Sequence, residues 1–337
     1  MRKLIKMSLF VCKYAALLSI FFPMLCAAET PVPPQAPLHQ GSHAMDTQQF
    51  PVQTFDLNSE DQIKSLFELH KARKSSAQSQ AELGIHGILS ISKPSDIPNI
   101  MKTYERLATK LSVFEIRFMN DIRANAFVPI SAQKRQINII LSGNSDTQTD
   151  VTGISFALFA DNIQVHHLKW DNMGVKSALS VGAKDKIALN DLTFSNNTYK
   201  PNLHAQARII ISSFAAEGQF TNVDIQNLTY TNNTSSALFL IENDSLDNIG
   251  MLNFDHLTLD SNQKTQLGID ISAAQKTILK NISISGESST TPLFVQRTPL
   301  GEVCMTGSDA DKYIKEYKYI PLPQYKDMKP KTVTVVK

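Results

Sequence analysis

Apolar residues recur in a short phrase that repeats along the second half of the chain. Ile163 to Trp170 reads IQVHHLKW and Ile187 to Phe194 reads IALNDLTF. Val223 to Tyr230 reads VDIQNLTY, Leu252 to Leu259 LNFDHLTL, and Thr277 to Ile284 TILKNISI. Aligned on the polar residues His167, Asp191, Asn227, His256 and Asn281, the copies are spaced by 24, 36, 29 and 25. A recurring unit of this length points to a solenoid. Apolar positions fall at −4, −2, +1 and +3 from the aligned residue: period 2, a phase slip, then period 2 again. Period 2 predicts strand. The slip predicts a corner that the chain turns while keeping one face inward.

A further strand precedes each pair. Leu179 and Val181 lie 12 and 10 residues before Asp191, and Ile269 and Ile271 stand at the same offsets from Asn281. In the two longer copies Ile209/Ile211 and Leu238/Leu240 lie at 18 and 16, so both are expected to carry the same six-residue insertion. Phe156 and Leu158 begin the series; Leu293 and Val295 end it. Three strands per coil is the pattern of a parallel β-helix. The phrase resembles that of the right-handed β-helices of the pectate-lyase-like group, in which an Asn-Leu-x-Ile-like phrase marks a bend. The resemblance covers about residues 137–300 and implies the fold, not lyase activity.

Helical signals stand before the coils. Asn58 or Ser59 can cap a helix whose apolar face is Ile63, Leu66, Phe67 and Leu69. Ser95 to Pro98 starts a second, with Ile100, Met101, Tyr104, Leu107, Ala108 and Leu111 on one face. GIHGILSIS (84–92) and Phe114/Ile116/Phe118 alternate like short strands. An uncovered solenoid end leaves unpaired edges, so 59–136 is expected to form an N-terminal cap, with Asn138 to Gly143 an early, degenerate coil. The expected whole is an all-β solenoid, a right-handed three-strand-per-coil parallel β-helix over 137–300 with an N-terminal helical cap. Residues 301–337 are expected to be a closing segment and a Lys/Pro-rich tail. Over 309–337 seven Lys stand against four acidic residues, which fits a solvated tail or one touching an anionic envelope.

The N-terminus changes the charge and the compartment. Arg2, Lys3 and Lys6 precede an apolar run from Tyr14 to Phe22, Pro23 breaks it, and Cys26-Ala27-Ala28 offers a small-x-small cleavage site. Residues 1–28 are therefore expected to be a signal peptide and the protein to be exported, whether periplasmic, cell-surface or secreted, with no membrane span after its removal. The Pro/Gln-rich stretch 29–58 reads as a disordered spacer. The leader holds four cations and no acid, so the formal charge of +2 for the whole chain becomes −2, which argues against a nucleic-acid partner. Two of the three Cys lie in the leader, leaving Cys304 with no internal disulfide partner.

Candidate chemistry is sparse. His167, Asp191, Asn227, His256 and Asn281 should stack as a structural ladder, ~4.8 Å apart. Asn tolerates the left-handed backbone such a bend requires. His167 beside Asp191 has the look of a catalytic dyad, but His256 is three coils off, ~14 Å at that spacing, too far for a shared metal. The repeated Asn172, Asn196, Asn197, Asn232, Asn233 and Asn262 are turn residues.

Cleavage of a polysaccharide needs paired carboxylates, or Ca²⁺-binding acids with a basic acceptor. The outward face of strand one offers Arg208 and Asp270, with His204 in the loop beside it and a greasy middle of Ile210, Phe239 and Ile241. The polygalacturonase-like set (Asn-Thr-Asp, Asp-Asp, Gly-His-Gly, Arg-Ile-Lys) is absent. Tyr199 with Ile210, Phe239 and Ile241 forms the candidate ligand-binding face. Glu217, Glu242, Asp244 and Asp247 form an acidic rim that would hold a cation or simply be solvated. Phosphate loops, His-Glu-x-x-His, Cys clusters and Gly-x-Ser-x-Gly are absent. The expected function is a binding or structural surface in the envelope or outside the cell, with a glycan or protein ligand and no cofactor. The alternative is a divergent polysaccharide lyase or glycoside hydrolase using Arg208, Asp270 and His204, the one case in which Ca²⁺ would enter.

Overall fold

The structure is a computed structural model. It describes residues 52–75, 84–133, 136–144, 147–171, 177–196, 209–231, 241–243, 248–260, 269–272, 274–285, 294–299, 301–307, 310–315, 317–331 and 333–336. The signal segment and nearly all of the spacer lie outside these residues. The spacer's end does not: Gln53–Asp56 is strand β1, paired parallel to β2 (Ile85–Ile91).

The region expected as a cap belongs to the solenoid itself. Helix α1 (Glu60–Ser75) follows β1, and α2 (Ile97–Leu107) follows β2. Strands β3 (Val113–Phe118), β4 (Ala126–Ser131), β5 (Asn138–Ser142) and β6 (Thr149–Asp150) come next. β2 pairs parallel to β3 and β3 to β5. The helices are therefore insertions between rungs of one sheet. The reason is legible in the alternation: β2 buries Ile85, Gly87, Leu89 and Ile91 and leaves the residues between them half-exposed, which is the pattern of a rung. Gly87 is required there, since a Cβ would meet Leu57 and Leu111 at 2.9 Å. Helix α2 buries Ile97, Ile100, Tyr104 and Leu107. Tyr104 lies edge-on to Phe114 and donates its hydroxyl to the Ser131 carbonyl, 2.8 Å away.

The repeats then run as β7 (Ile154–Asp171), β8 (Leu179–Ser195), β9 (Ile209–Ser213), β10 (Thr221–Thr231), β11 (Ile241–Asn243), β12 (Ile249–Asp260), β13 (Ile269–Asp270) and β14 (Ala274–Ser285). β15 (Phe294–Gln296), β16 (Glu302–Thr306), helix α3 (Ala310–Lys315), β17 (Tyr317–Tyr319) and β18 (Val333–Val336) complete the chain. All pairings are parallel. One stack runs β1–β2–β3–β5–β7–β8–β10–β12–β14–β16–β18. A second runs β4–β7–β8–β9–β11–β13–β15–β17. The fold is a parallel β-solenoid, and its C-terminal segment adds rungs β16, β17 and β18, so 301–337 is more than a closing tail.

The five phrases align as expected. Leu168, Leu192, Leu228, Leu257 and Ile282 face one another in register and are buried. One turn of phrase later the aromatic step is filled by Trp170 and Phe194, stacked at 5.1 Å and nearly parallel. The Trp170 indole N–H donates to the Ile154 carbonyl at 3.1 Å. At the bend, His167, Asp191, Asn227, His256 and Asn281 all have left-handed backbones, φ 52–59°. Gly307 follows Asn281 with φ 108°.

Two inward positions differ from expectation. Ile241, and not Leu238 or Leu240, takes the register of the buried Ile209 and Ile269. The two long copies therefore carry insertions of different length. In the last copy Phe294 and Gln296 fall on the buried side at the places expected for Leu293 and Val295. A polar residue tolerates that burial because it is satisfied: Gln296 donates to the carbonyls of Thr298 and Gly301 at 2.9 and 3.0 Å and accepts from the Tyr317 hydroxyl at 2.6 Å.

Candidate functional site

The outward face of the long stack carries three rows of side chains, one per rung. The first runs Val113, Asn138, Asn162, Lys186, Asn222, Met251, Lys276. The second runs Glu115, Ile140, Gln164, Ala188, Asp224, Asn253. The third runs Arg117, Ser142, His166, Asn190, Gln226, Asp255, Lys280. Period-2 alternation dictates this: the apolar residues between them fill the core. Amides link successive rungs, Asn162 to Asn138 at 3.0 Å, Asn227 to Asn190 at 3.1 Å and Asn253 to Asp224 at 2.9 Å. Between the first two rows lies a shallow hollow of about 160 Å³ lined by Val113, Asn138, Ile140, Asn162, Gln164 and Lys186.

At the N-terminal end of this face stands an ion cluster. Glu115 is only 4% exposed. Its Oε1 accepts from Arg117 Nε at 2.7 Å and from Ser142 Oγ at 2.8 Å, and its Oε2 lies 2.8 Å from His86 Nε2. The histidine contact is close but not aligned as a hydrogen bond. Burial pushes the Glu115 carboxyl up, but the contacts from His86, Arg117 and Ser142 outweigh it and hold the group at about 2. It is an ionised, saturated acceptor. One rung on, His166 Nδ1 and His167 Nδ1 are 3.0 Å apart, and His167 Nε2 is 3.3 Å from Asp191 Oδ2. If Asp191 holds the proton of His167 on Nε2, the proton between the rings belongs to His166. Burial pushes the His166 imidazole down, and His167 adds to this against Glu115 and Asp191.

This cluster lacks a free nucleophile. The Ser142 hydroxyl is buried and already committed to Glu115. The expected His167–Asp191 contact does form, but the dyad points into a ladder and a second histidine.

Of the other expected site residues, Asp270, Ile210, Ile241, Glu217 and Glu242 fall among the described residues. Asp270 is buried, accepts the Ser272 backbone N–H at 2.9 Å and has Arg297 Nε 3.9 Å away. It is a structural acid and no open-groove acid. Ile241 pairs in register with Ile209 and Ile269, and Glu242 with half-buried Ile210. Glu217 is exposed in the turn before Gly218. Tyr199, His204, Arg208, Phe239, Asp244 and Asp247 lie outside the described residues. Among the described residues no three His, Cys, Asp or Glu side chains cluster as a metal site.

Sequence reasoning missed Glu115, Arg117 and His86. A signal existed: in VFEIRF (113–118) two opposite charges sit at i and i+2, on one face of a strand, and His86 falls on the same outward phase of its own. Comparison of the chain with family models, with curated proteins and with solved structures finds no match. No helix among the described residues is long and apolar enough to cross a membrane.

Proposed function

We propose that this chain is an exported β-solenoid that binds an extended glycan along the outward face of its long stack and does not cleave it. Each coil is taken as three strands wound right-handedly, with corners at the register break between Ala160 and Asn162 and at the left-handed column. The observation that carries the proposal is that polar side chains, chiefly Asn, Gln, His and Lys, fill most positions of three rows whose rungs repeat at ~4.8 Å. Amides offer paired donors and acceptors to sugar hydroxyls. The lyase or hydrolase alternative is weakened because the carboxylates in view are engaged: Glu115 by three groups, Asp270 by Ser272 and Arg297.

The test is a glycan array and a polysaccharide-degradation assay on the full chain, with and without Ca²⁺. Binding without chain shortening, weakened in Asn162→Ala and Gln164→Ala and indifferent to Ca²⁺, is expected. Shortening of any polysaccharide would overturn the proposal in favour of an enzyme. Equal binding by both variants would move the ligand elsewhere.

A further inference from the structure

A second concavity lies at the N-terminal end of the long stack, where β1, β2 and α2 meet. It has room for about 570 Å³, within the ~300–1,000 Å³ of small-molecule sites. One wall is the exposed stripe of α2, with Asn99, Lys102, Thr103 and Arg106 at helical spacing. The facing wall is the turn after β1 and the end of β2, with the Ser90 and Ser92 side chains. Behind these walls Leu57, Leu89 and Ile91 are buried in the core and present no apolar surface to the cleft.

The chemistry of the walls is asymmetric. Asn58 stitches one wall by accepting from the Ser90 N–H at 2.8 Å and donating to its carbonyl at 2.9 Å. Both acids at the cleft serve as backbone caps: Asp56 accepts the Asn58 N–H at 2.9 Å, and Asp96 accepts those of Ser92 and Lys93 at 3.0 and 3.1 Å. Arg106 is steered by Phe67, 5.9 Å below it, and by a loose 3.6 Å contact to Glu60. The cleft thus carries two cations one helical turn apart on the helix wall, with two carboxylates tied to backbone N–H groups at its other edges and three hydroxyls and an amide between them.

We propose that this cleft binds a carboxylate-bearing monosaccharide, a hexuronate. Lys102 and Arg106 take the carboxylate, and Asn99, Thr103, Ser90 and Ser92 take the ring hydroxyls. The proposal stands apart from the reading of the long face and shares no residue with it.

Titration calorimetry of the full chain with glucuronate, glucose and inorganic phosphate tests it. Saturable glucuronate binding is expected. Glucose should bind at least about tenfold more weakly, the worth of one charge-assisted hydrogen bond. Lys102→Met should lose a similar factor and raised salt should weaken binding, whereas Asn162→Ala on the long face should change nothing. Lys102 is exposed, so its variant should melt like the parent; Asn99→Ala is the second variant and should weaken glucuronate and glucose alike. Absence of saturable glucuronate binding, equal affinity for glucose, or phosphate binding as tightly as glucuronate would each overturn the proposal, the last by reducing the cleft to a bare anion patch.

Discussion

The left-handed column makes a prediction whose sign alone is decisive. Asn227 is exposed, has φ 52°, and makes one side-chain hydrogen bond, from its Nδ2 to Asn190 Oδ1 at 3.1 Å. Replacing it by Gly and by Ala removes that bond in both variants, so the bond cancels from the comparison. An L-residue without a compensating polar side chain costs about 1–2 kcal/mol in the left-handed region. Glycine escapes this but loses about 0.5–1 kcal/mol through the entropy of its unfolded chain. Asn227→Gly should therefore be the more stable of the two by about 0.5–1 kcal/mol. At the neighbouring Gln226, in ordinary strand geometry, the order should reverse, Ala exceeding Gly by about 0.5–1 kcal/mol. Urea midpoints of the four variants, measured side by side, provide the comparison. An Asn227→Gly variant less stable than Asn227→Ala would refute the left-handed bend, and with it the account of why polar residues recur there.

Glu115→Gln tests the ion cluster. A carboxyl depressed to about 2 contributes stability that is full above its unfolded value of about 4.3 and fades as pH falls toward 2, amounting to about 3 kcal/mol at neutral pH. The urea midpoint of the parent should fall through this window while the variant's stays flatter; parallel curves would remove the cluster from the stability account. Gly143→Ala and Gly182→Ala should diverge. The new methyl meets the His167 carbonyl oxygen at 2.0 Å in the first and the ring of exposed Phe214 at 2.4 Å in the second. Backbone cannot yield and a surface ring can, so thermal melts should show a loss of about 3 kcal/mol or more against about 1 kcal/mol or less. Trp170→Ala should cost about 3–5 kcal/mol from lost volume, seen as a large drop in melting temperature; a loss under 1 kcal/mol would mean that the stack on Phe194 is not part of the core.

What the sequence made legible was everything written in translation. The five phrases share one register because each rung must present the same apolar positions to the same core, and the polar residue at the bend is selected by backbone conformation, not by chemistry. What escaped was written in insertions. The rungs β2 and β3 are separated by helix α2, so their period-2 runs looked like isolated strands in a cap. Ile241 was placed outward because the insertion before β12 was set equal to the one before β10, and a slip of one residue in a strand exchanges its two faces. Phe294 and Gln296 were missed for a related reason: a buried glutamine looks outward until its three hydrogen-bonding partners are seen.

The two proposed sites differ in kind because the two parts of the chain differ in kind. Where the rungs repeat without interruption, each adds one side chain to each row, most of them polar, and a single neutral hydrogen bond to sugar is worth about 1 kcal/mol net. On the proposed reading such a face gains affinity by summing many rungs, which suits a long and repetitive ligand. Where α1 and α2 interrupt the rungs, side chains from non-equivalent elements converge, Lys102 and Arg106 from a helix against Ser90 and Ser92 from a strand. Convergence of that sort encloses a small ligand on several sides. The ion cluster around Glu115 sits at the junction of the two regimes, and its three donors come from β2, β3 and β5. Losing one partner there leaves a buried charge uncompensated, at a cost of about 3–5 kcal/mol. It thus ties the interrupted rungs to the register of the regular ones, a structural role that needs no catalysis to account for its buried charge.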